Sequence, residues 1–340
     1  MWNIYNKTPF SSAHQFAQNS SGELVWMVAT KATFDIKPEE NELVIADKQE
    51  PVYEADKFRG DPQTTSLEHP SDFALEKPNV DILLDAMAFS PGEKPVTEMI
   101  VGFSLGPVKK FLKIVGNRWF DKFLGAIIKT DKSTFTMMPI TYERAYGGWQ
   151  ELEKGAKTYV DIRNPAGTGY FRKRWAVDSI PLPNIEYAAY PTKKKPKKNR
   201  IAGFGPIASH WSPRIEYAGT YNENPEVFPN TRPANFDSSY FQLAPADQQA
   251  KIINGAEEAV LYNLHPEYRE IRFSLPEISI SYETYMDLQN IHQEANLQTI
   301  VIQPDQLKLH MVWQGNVICQ NQGETLDYTK ISYSFKKPSS

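Results

Sequence analysis

Leu24-Val-Trp-Met-Val-Ala-Thr-Lys-Ala-Thr-Phe-Asp-Ile36 is the stretch on which the fold class turns. Its even positions, Leu24, Trp26, Val28, Thr30, Ala32, Phe34 and Ile36, are mostly apolar, and the other side ends in Lys31, Thr33 and Asp35. Successive side chains of a strand point to opposite faces, so this alternation reads as a half-buried β-strand. Leu307, Leu309, Met311 and Trp313 alternate with Lys308, His310, Val312 and Gln314 and give a second strand. His310 falls on its Lys308 and Gln314 side, which reads as solvated or partner-facing. Thr329 to Phe335 repeats the pattern with Ile331, Tyr333 and Phe335.

Working outward, Val80–Phe89 and Val108–Val115 also read as strands, the latter stopped by Gly116. Ile271, Phe273 and Leu275 lie on one parity and Ile278 and Ile280 on the other, so Pro276 marks a bulge or a break between two strands. Helical signals are few. Arg118–Lys129 reads as a helix, and Pro245 followed by Ala-Asp-Gln-Gln-Ala-Lys reads as a short one with proline in its first turn. The expected class is mainly β, with antiparallel, sandwich-like sheets, a long ordered irregular middle and few short helices.

Eleven of the 25 prolines fall between Pro165 and Pro245. Proline fixes φ and lacks an N–H, which disfavours long helices and central strands there. The same region carries Tyr170, Phe171, Trp175, Tyr187, Phe204, Trp211, Tyr217, Tyr221, Phe228, Phe236, Tyr240 and Phe241, residues that disordered segments lack. The chain therefore divides coarsely into an N-terminal β lobe (1–158), an irregular Pro-rich layer (159–254) and a C-terminal β lobe (255–340), within one unit of 340 residues. Inside the layer, 193–200 has no apolar anchor and is expected to be a mobile loop. It carries Lys193, Lys194, Lys195, Lys197, Lys198 and Arg200; removing these six from the 37 basic residues leaves 31 against 41 acidic ones, a balance of −10. Such a body is not that of a general nucleic-acid binder, which spreads basic charge over a face. The run suits an acidic partner or simple solvation, and it lacks the interleaved aromatics that stack single-stranded bases.

One cysteine in 340 residues forms no internal disulfide and no multi-thiolate metal site, which favours a reducing compartment. Met1–Ser12 has no secretory pattern, and no run approaches the roughly 18 apolar residues of a membrane helix, so a cytoplasmic location without membrane insertion is expected. The histidines 14, 69, 210, 265, 292 and 310 are isolated, without metal-ligand spacing, and neither metal nor cofactor is expected. Cys319 lies in the apolar run Val317-Ile318-Cys319, where a buried thiol behaves as a small hydrophobe.

Three glycine clusters stand out: Tyr142-Glu-Arg-Ala-Tyr-Gly-Gly-Trp149, Asn164-Pro-Ala-Gly-Thr-Gly-Tyr170 and Ala202-Gly-Phe-Gly-Pro206. None is a nucleotide motif, and they read as turns. No G-x-S-x-G is present. Glu143, Asp237 and Asp247 are candidates for a paired-carboxylate glycosidase site, weighed against internal ion pairs Glu143–Arg144 and Asp237–Arg214.

Taken in order, these clusters resemble the bacterial domain-of-unknown-function 2169 family. The matching signposts are Lys77-Pro78 with Asp81, Val115-Gly-Asn-Arg-Trp119, Met138-Pro139, Tyr142–Gly148, Asn164–Tyr170, Leu182-Pro-Asn184, Gly203–Ile207, Trp211-Ser-Pro-Arg214, Ala218–Tyr221, Ala244–Gln248, Leu275-Pro276 and Val312-Trp313. Asn117 stands where that family usually has an acidic residue, and no tryptophan follows Tyr221. The resemblance implies a non-enzymatic adaptor or chaperone that binds a type VI secretion effector and helps load it on the spike. Its partners would be that effector and a spike or spike-tip protein. Tyrosine, tryptophan and arginine dominate interface energetics. Trp175, Tyr187, Trp211, Arg214 and Tyr221, with Lys194, Lys195, Lys197 and Lys198, are therefore the candidate partner-binding residues. A carbohydrate-active β-sandwich, either binding module or hydrolase, is the competing expectation.

Overall fold

Residues 2–151, 158–173, 175, 177–193, 198–221, 232–319 and 323–335 are described by the computed structural model. The stretch that opens the sequence reading is the long strand Leu24–Lys37. It pairs antiparallel with Ser11–Gln18 on one side and with Lys308–Cys319 on the other. The sheet continues through Asn296–Gln303 and Val80–Leu84 to Gln249–Ala250, with Glu42–Ile45 added to Leu24–Lys37, making seven strands. Only the Asn296–Gln303 and Val80–Leu84 pair in it is parallel. A five-stranded sheet runs Ile185–Tyr187, Val108–Val115, Glu98–Leu105, Glu258–Tyr262, Glu270–Ser274. A four-stranded sheet runs Asn3–Asn6, Leu326–Phe335, Ile278–Met286, Gln289–Glu294.

One apolar core joins the three sheets. Trp26, Phe34, Ile82 and Ile300 of the large sheet pack with Phe103, Leu112 and Phe273 of the second and Ile280, Tyr282 and Ile331 of the third. Burying such side chains is worth roughly 1.5–3 kcal/mol each, which is why the even positions of Leu24–Lys37 all point inward. The approach is close. A Cβ on Gly315 would lie 2.4 Å from the Tyr282 ring, so glycine is required in that strand. Tyr282 then donates its hydroxyl to Thr30 Oγ1 at 3.0 Å, and Trp26 Nε1 donates to Thr329 Oγ1 at 2.9 Å. The polar atoms brought inside are thereby satisfied.

The mainly β, mostly antiparallel class is what the structure has. The break at Pro276 is real, since the strands on either side of it belong to different sheets. The short turn after Pro245 is a 3-10 helix at Ala246–Gln248. Three expectations need correction. Arg118–Lys129 is a hairpin of Trp119–Phe123 and Ala126–Lys129. Leu124 and Gly125 both take positive φ (49° and 79°) at its tip, the two-residue turn that matches strand twist. The terminal stretches are also not separate lobes: Leu24–Lys37 pairs with Lys308–Cys319, and Glu98–Leu105 with Glu258–Tyr262.

The third correction concerns the second face of the large sheet, which is buried too. Val25, Met27 and Ala29 pack on Phe73. Lys31 Nζ meets Asp72 Oδ2 at 2.9 Å, with both side chains buried. Gln314 exchanges two hydrogen bonds with the backbone of Ala74. His310, expected on a solvated side, is buried there: its Nδ1 meets Thr33 Oγ1 at 3.1 Å and its Nε2 meets Gln303 Oε1 at 2.8 Å.

Irregular backbone has no ladder of its own, so side chains must receive its N–H groups. Asp81, fully buried on the strand Val80–Leu84, does this for the far end of the Pro-rich stretch. Its carboxylate accepts from Leu243 N (2.8 Å), Ala244 N (3.0 Å) and Gln242 Nε2 (2.7 Å), and pairs with the buried Lys77 Nζ at 2.7 Å. Gln248 adds donors to Ile82 O (2.7 Å) and Phe204 O (2.9 Å). Removing one partner of a buried ion pair typically costs about 3–5 kcal/mol. Asp81→Ala is expected to lose that much stability by denaturant unfolding, and a loss under about 1 kcal/mol would contradict the role given to this carboxylate.

Candidate functional site

The glycine clusters are turns, and side-chain amides lock them together. Gly147, Gly148 and Gly169 have positive φ. Cβ atoms on Gly147 and Gly148 would meet Asn164 O at 2.2 Å and Gly167 O at 2.3 Å, so no larger residue fits. Asn164, fully buried, donates to Tyr142 O (2.8 Å) and Tyr146 O (3.1 Å). Tyr142 reaches the third cluster, donating to Gly205 O at 3.1 Å, and packs edge-on against Trp211 at 5.7 Å. Asn184 ties the clusters to the five-stranded sheet through Val115 O (2.9 Å) and Asn117 Oδ1 (3.0 Å).

Where these stretches meet, they line an open groove of about 430 Å3. Asn117, Arg118 and Trp119 come from one side, Thr141, Glu143 and Arg144 from another, and Thr168 and Pro181–Leu182–Asn184 complete it. Arg118 is buried; its Nη2 pairs with Glu186 Oε1 at 2.6 Å. Arg144 donates from Nη1 to Asn184 Oδ1 at 3.1 Å. The Glu143 carboxylate accepts from Ser66 N (2.7 Å) and Ser66 Oγ (3.0 Å). These and other hydrogen bonds outweigh burial and hold its carboxyl below the usual range.

Trp119 also belongs to an apolar sheet face. The hairpin Trp119–Phe123/Ala126–Lys129, joined by Ile180–Pro181, buries Phe120 and Ile127 against Phe171, Val177 and Leu182. Its register puts Trp119, Phe123 and Ile128 on the opposite face, where all three are exposed, with Asp121 among them opposite Ile128. Phe123 is 62% and Leu124 93% exposed. Lys122 of the hairpin donates to the backbone carbonyl of Trp175, whose side chain is 63% exposed. Sequence reading missed this face because it took the segment for a helix; Gly125 between the short apolar-containing runs Trp119–Phe123 and Ala126–Ile128 was the hairpin signal.

A second concavity, about 280 Å3, lies on the second face of the large sheet under the Gly203–Pro206 turn. Lys31 Nζ sits 3.9 Å from the Tyr53 ring centroid, and His69 stacks on Tyr53 at 4.5 Å. Arg59 pairs with Asp85 at 2.9 Å. Burial pushes both His69 and His310 down. In His310, Lys31, Lys308 and His69 act in the same direction, and the value falls to about 3. The lining charges are thus largely paired and the imidazoles neutral.

The expected partner residues divide in three ways. Trp175 and Tyr221 are exposed, and Lys198 lies on the surface. Tyr187 is half-buried and donates its hydroxyl to Asp247 Oδ2 at 2.8 Å. Trp211 and Arg214 are buried and are corrected to structural roles. The apolar body of Trp211 packs on Tyr142, while Arg214 donates to Tyr240 O (2.9 Å) and Ile207 O (2.6 Å). Lys194, Lys195 and Lys197, and with them the expected mobility of that loop, lie outside the described residues. The base of the loop is pinned by Asn199, which accepts from Lys193 N and donates to Lys193 O.

The three candidate carboxylates have separate attachments. Glu143 is held by Ser66, Asp247 Oδ1 pairs with Lys110 at 2.8 Å, and Asp237 caps the turn Ser238–Phe241 through Ser239 N. Among the described residues, the expected pairs Glu143–Arg144 and Asp237–Arg214 do not form; hydrogen bonds to Ser66 and to backbone carbonyls take their place. No group of three or more His, Cys, Asp or Glu among the described residues is placed to hold a metal ion. No described helix is long and apolar enough to cross a membrane. Cys319 is buried, and burial pushes its thiol up.

Mostly antiparallel sheets carrying an irregular stretch, whose described part is fastened by side-chain amides, define a mainly β protein with the groove and the second concavity bordering that stretch. The family model described as "Uncharacterized protein conserved in bacteria (DUF2169)" matches residues 21–314, and the chain belongs to that family. No curated protein and no solved structure matches it.

A pH dependence follows from His310. The unfolded chain takes up this proton near pH 6.5, and the folded protein only near 3. The group's contribution is therefore whole above about pH 6.5 and is lost as pH falls toward 3. Between about pH 6 and 4, the wild-type unfolding free energy is expected to fall more steeply than that of His310→Gln, by up to about 1.4 kcal/mol per pH unit. Equal slopes in urea titrations would contradict the buried neutral imidazole.

Proposed function

We propose that the protein is a non-enzymatic adaptor that binds a type VI secretion effector in the bacterial cytoplasm and helps load it on the secretion spike. The observation that carries this reading is the set of exposed apolar side chains on the hairpin, Trp119, Phe123 and Ile128 on one face with Leu124 at the tip, together with the exposed Trp175, whose carbonyl meets Lys122 of the other face. Large aromatic side chains held on a regular element lose little entropy on binding and make strong interface anchors. Behind the face, Phe120, Ile127 and Phe171 fix the hairpin against the body. The alternative, a glycoside hydrolase, needs one carboxyl raised to act as acid. Hydrogen bonds instead hold Glu143 and Asp237 below the usual range, and Asp247 is engaged by Lys110 and Tyr187.

Deleting the whole stretch 159–254 is a poor test, because it removes Ile185–Tyr187 from the five-stranded sheet and Gln248 from the core. Point variants are better. Co-expressed with a type VI secretion effector from the same genome, the wild type is expected to co-purify with it. Phe123→Ser with Leu124→Ser, and separately Trp175→Ala, should each weaken capture about tenfold or more, since truncating an anchor costs over about 1–2 kcal/mol. Their thermal midpoints should stay near wild type because these side chains are exposed. Undiminished capture by both variants would remove this face from the account. Failure of the wild type to capture the effector would remove the adaptor reading itself.

A further inference from the structure

The groove beside the apolar face has a chemistry of its own. Four separated stretches of sequence supply its walls, and two guanidinium groups, Arg118 and Arg144, lie among them. Some described arginines carry acid partners, Arg59 with Asp85, Arg163 with Asp161, and Arg272 with Glu258 and Glu270. Arg144, like Arg232, does not. Among the described residues, the Arg144 side chain makes one hydrogen bond, to the neutral amide oxygen of Asn184, and no carboxylate lies within ion-pair distance of it. Arg118 is more than nine-tenths buried, and it too is incompletely satisfied. Nη2 has Glu186 and a long contact to Pro183 O at 3.5 Å, while the buried Nε has no acceptor. A buried donor left unpaired costs about 1–3 kcal/mol, so Arg118 keeps a donor that its own neighbours leave unsatisfied.

We propose that this groove receives an acidic side chain, glutamate or aspartate, of the protein partner. The carboxylate lies on Arg144 with Arg118 behind it, and the apolar residue next to it in the partner lies on Trp119. The inference rests on the adaptor reading and deepens it, by giving the partner segment a chemistry: an acid flanked by an apolar or aromatic residue. Trp119 joins the two halves, since it lines the groove and also stands on the exposed sheet face with Phe123 and Ile128. Guanidinium is suited to the task because its planar fork matches a carboxylate and the resulting hydrogen bonds are charge-assisted.

Glu143 is the carboxylate that lines the same groove, and its charge opposes a second one. Its oxygens are turned to Ser66 N and Ser66 Oγ, and those bonds hold it ionised. The incoming acid is thereby confined to the Arg144 and Asn184 side. A neutral glutamine in its place gains neither the charge-assisted bond nor relief for Arg144, so the site discriminates acid from amide.

The test uses the full chain with two blocked tripeptides, acetyl-Leu-Glu-Phe-amide and acetyl-Leu-Gln-Phe-amide, titrated at millimolar concentration. Arginine Nε–H and tryptophan indole signals are followed by NMR. The glutamate peptide is expected to shift the Arg144, Arg118 and Trp119 signals and to bind about tenfold more tightly than the glutamine peptide, the ratio that roughly 1.4 kcal/mol of charge-assisted bonding gives. In Arg144→Gln, checked for an unchanged thermal midpoint, the preference should drop below about twofold. Equal binding of the two peptides, no shift with either, or a preference that survives Arg144→Gln would each overturn the inference. The wild-type comparison needs no variant to fold. An effector that co-purifies alongside equal peptide binding leaves the adaptor reading standing without this site. A glutamate preference without effector capture keeps the site and removes the adaptor reading.

Discussion

The carboxylate of Asp81 is the point at which a regular sheet takes hold of irregular chain. It is fully buried on a central strand, and it gathers two backbone N–H groups, one amide and one ammonium. A stretch containing eleven prolines satisfies little of its backbone in ladders, so beside backbone bonds such as Ile207 N to Leu243 O, several of its buried groups take side-chain partners. The same solution recurs across the molecule. Asn164 holds the two glycine turns, Asn184 joins them to the five-stranded sheet, Gln248 spans Ile82 and Phe204, and Gln314 clasps Ala74. Asparagine and glutamine serve here because each carries a donor and an acceptor on one planar group.

This fastening makes the surface features possible. The groove walls come from chain segments far apart in sequence, and Asn164 and Asn184, together with backbone bonds such as Thr168 N to Ala145 O, keep Arg144 facing the Asn117–Trp119 stretch. The apolar hairpin face is likewise presented by a buried counterpart, Phe120 and Ile127 on Phe171 and Val177. Binding by a surface that is already ordered avoids the entropy of ordering it on contact. A layer that spends its polar side chains on structure leaves exposed aromatics and a few unpaired guanidinium donors as its recognition chemistry.

How much of this the sequence revealed depended on the distance of the partners. The strands Leu24–Lys37, Lys308–Cys319 and Leu326–Phe335 were legible from period-2 patterns, and so was the break at Pro276, because these signals are local. The second buried face was not. Lys31, His310 and Gln314 read as solvated because polar residues on one parity of a strand usually are, while Asp72 and Ala74, which cover them, are 41 and 240 residues away from Lys31 and Gln314. Trp211 and Arg214 read as interface anchors because their residue types are those of hot spots, and only packing revealed that Tyr142, Ile207 and Tyr240 enclose them. The groove was legible only as its separate motifs; their meeting in space was not.

The central claim is that the described part of the irregular layer is as firmly held as the sheet that carries it. Amide hydrogen exchange of the native protein tests it most directly, at Leu243 and Ala244, whose N–H groups end on Asp81 rather than on a strand. The account predicts that these two amides exchange as slowly as those of Val101 and Phe103 in the five-stranded sheet, opening only with global unfolding. Exchange at rates typical of exposed loops, with the sheet amides still protected, would contradict it.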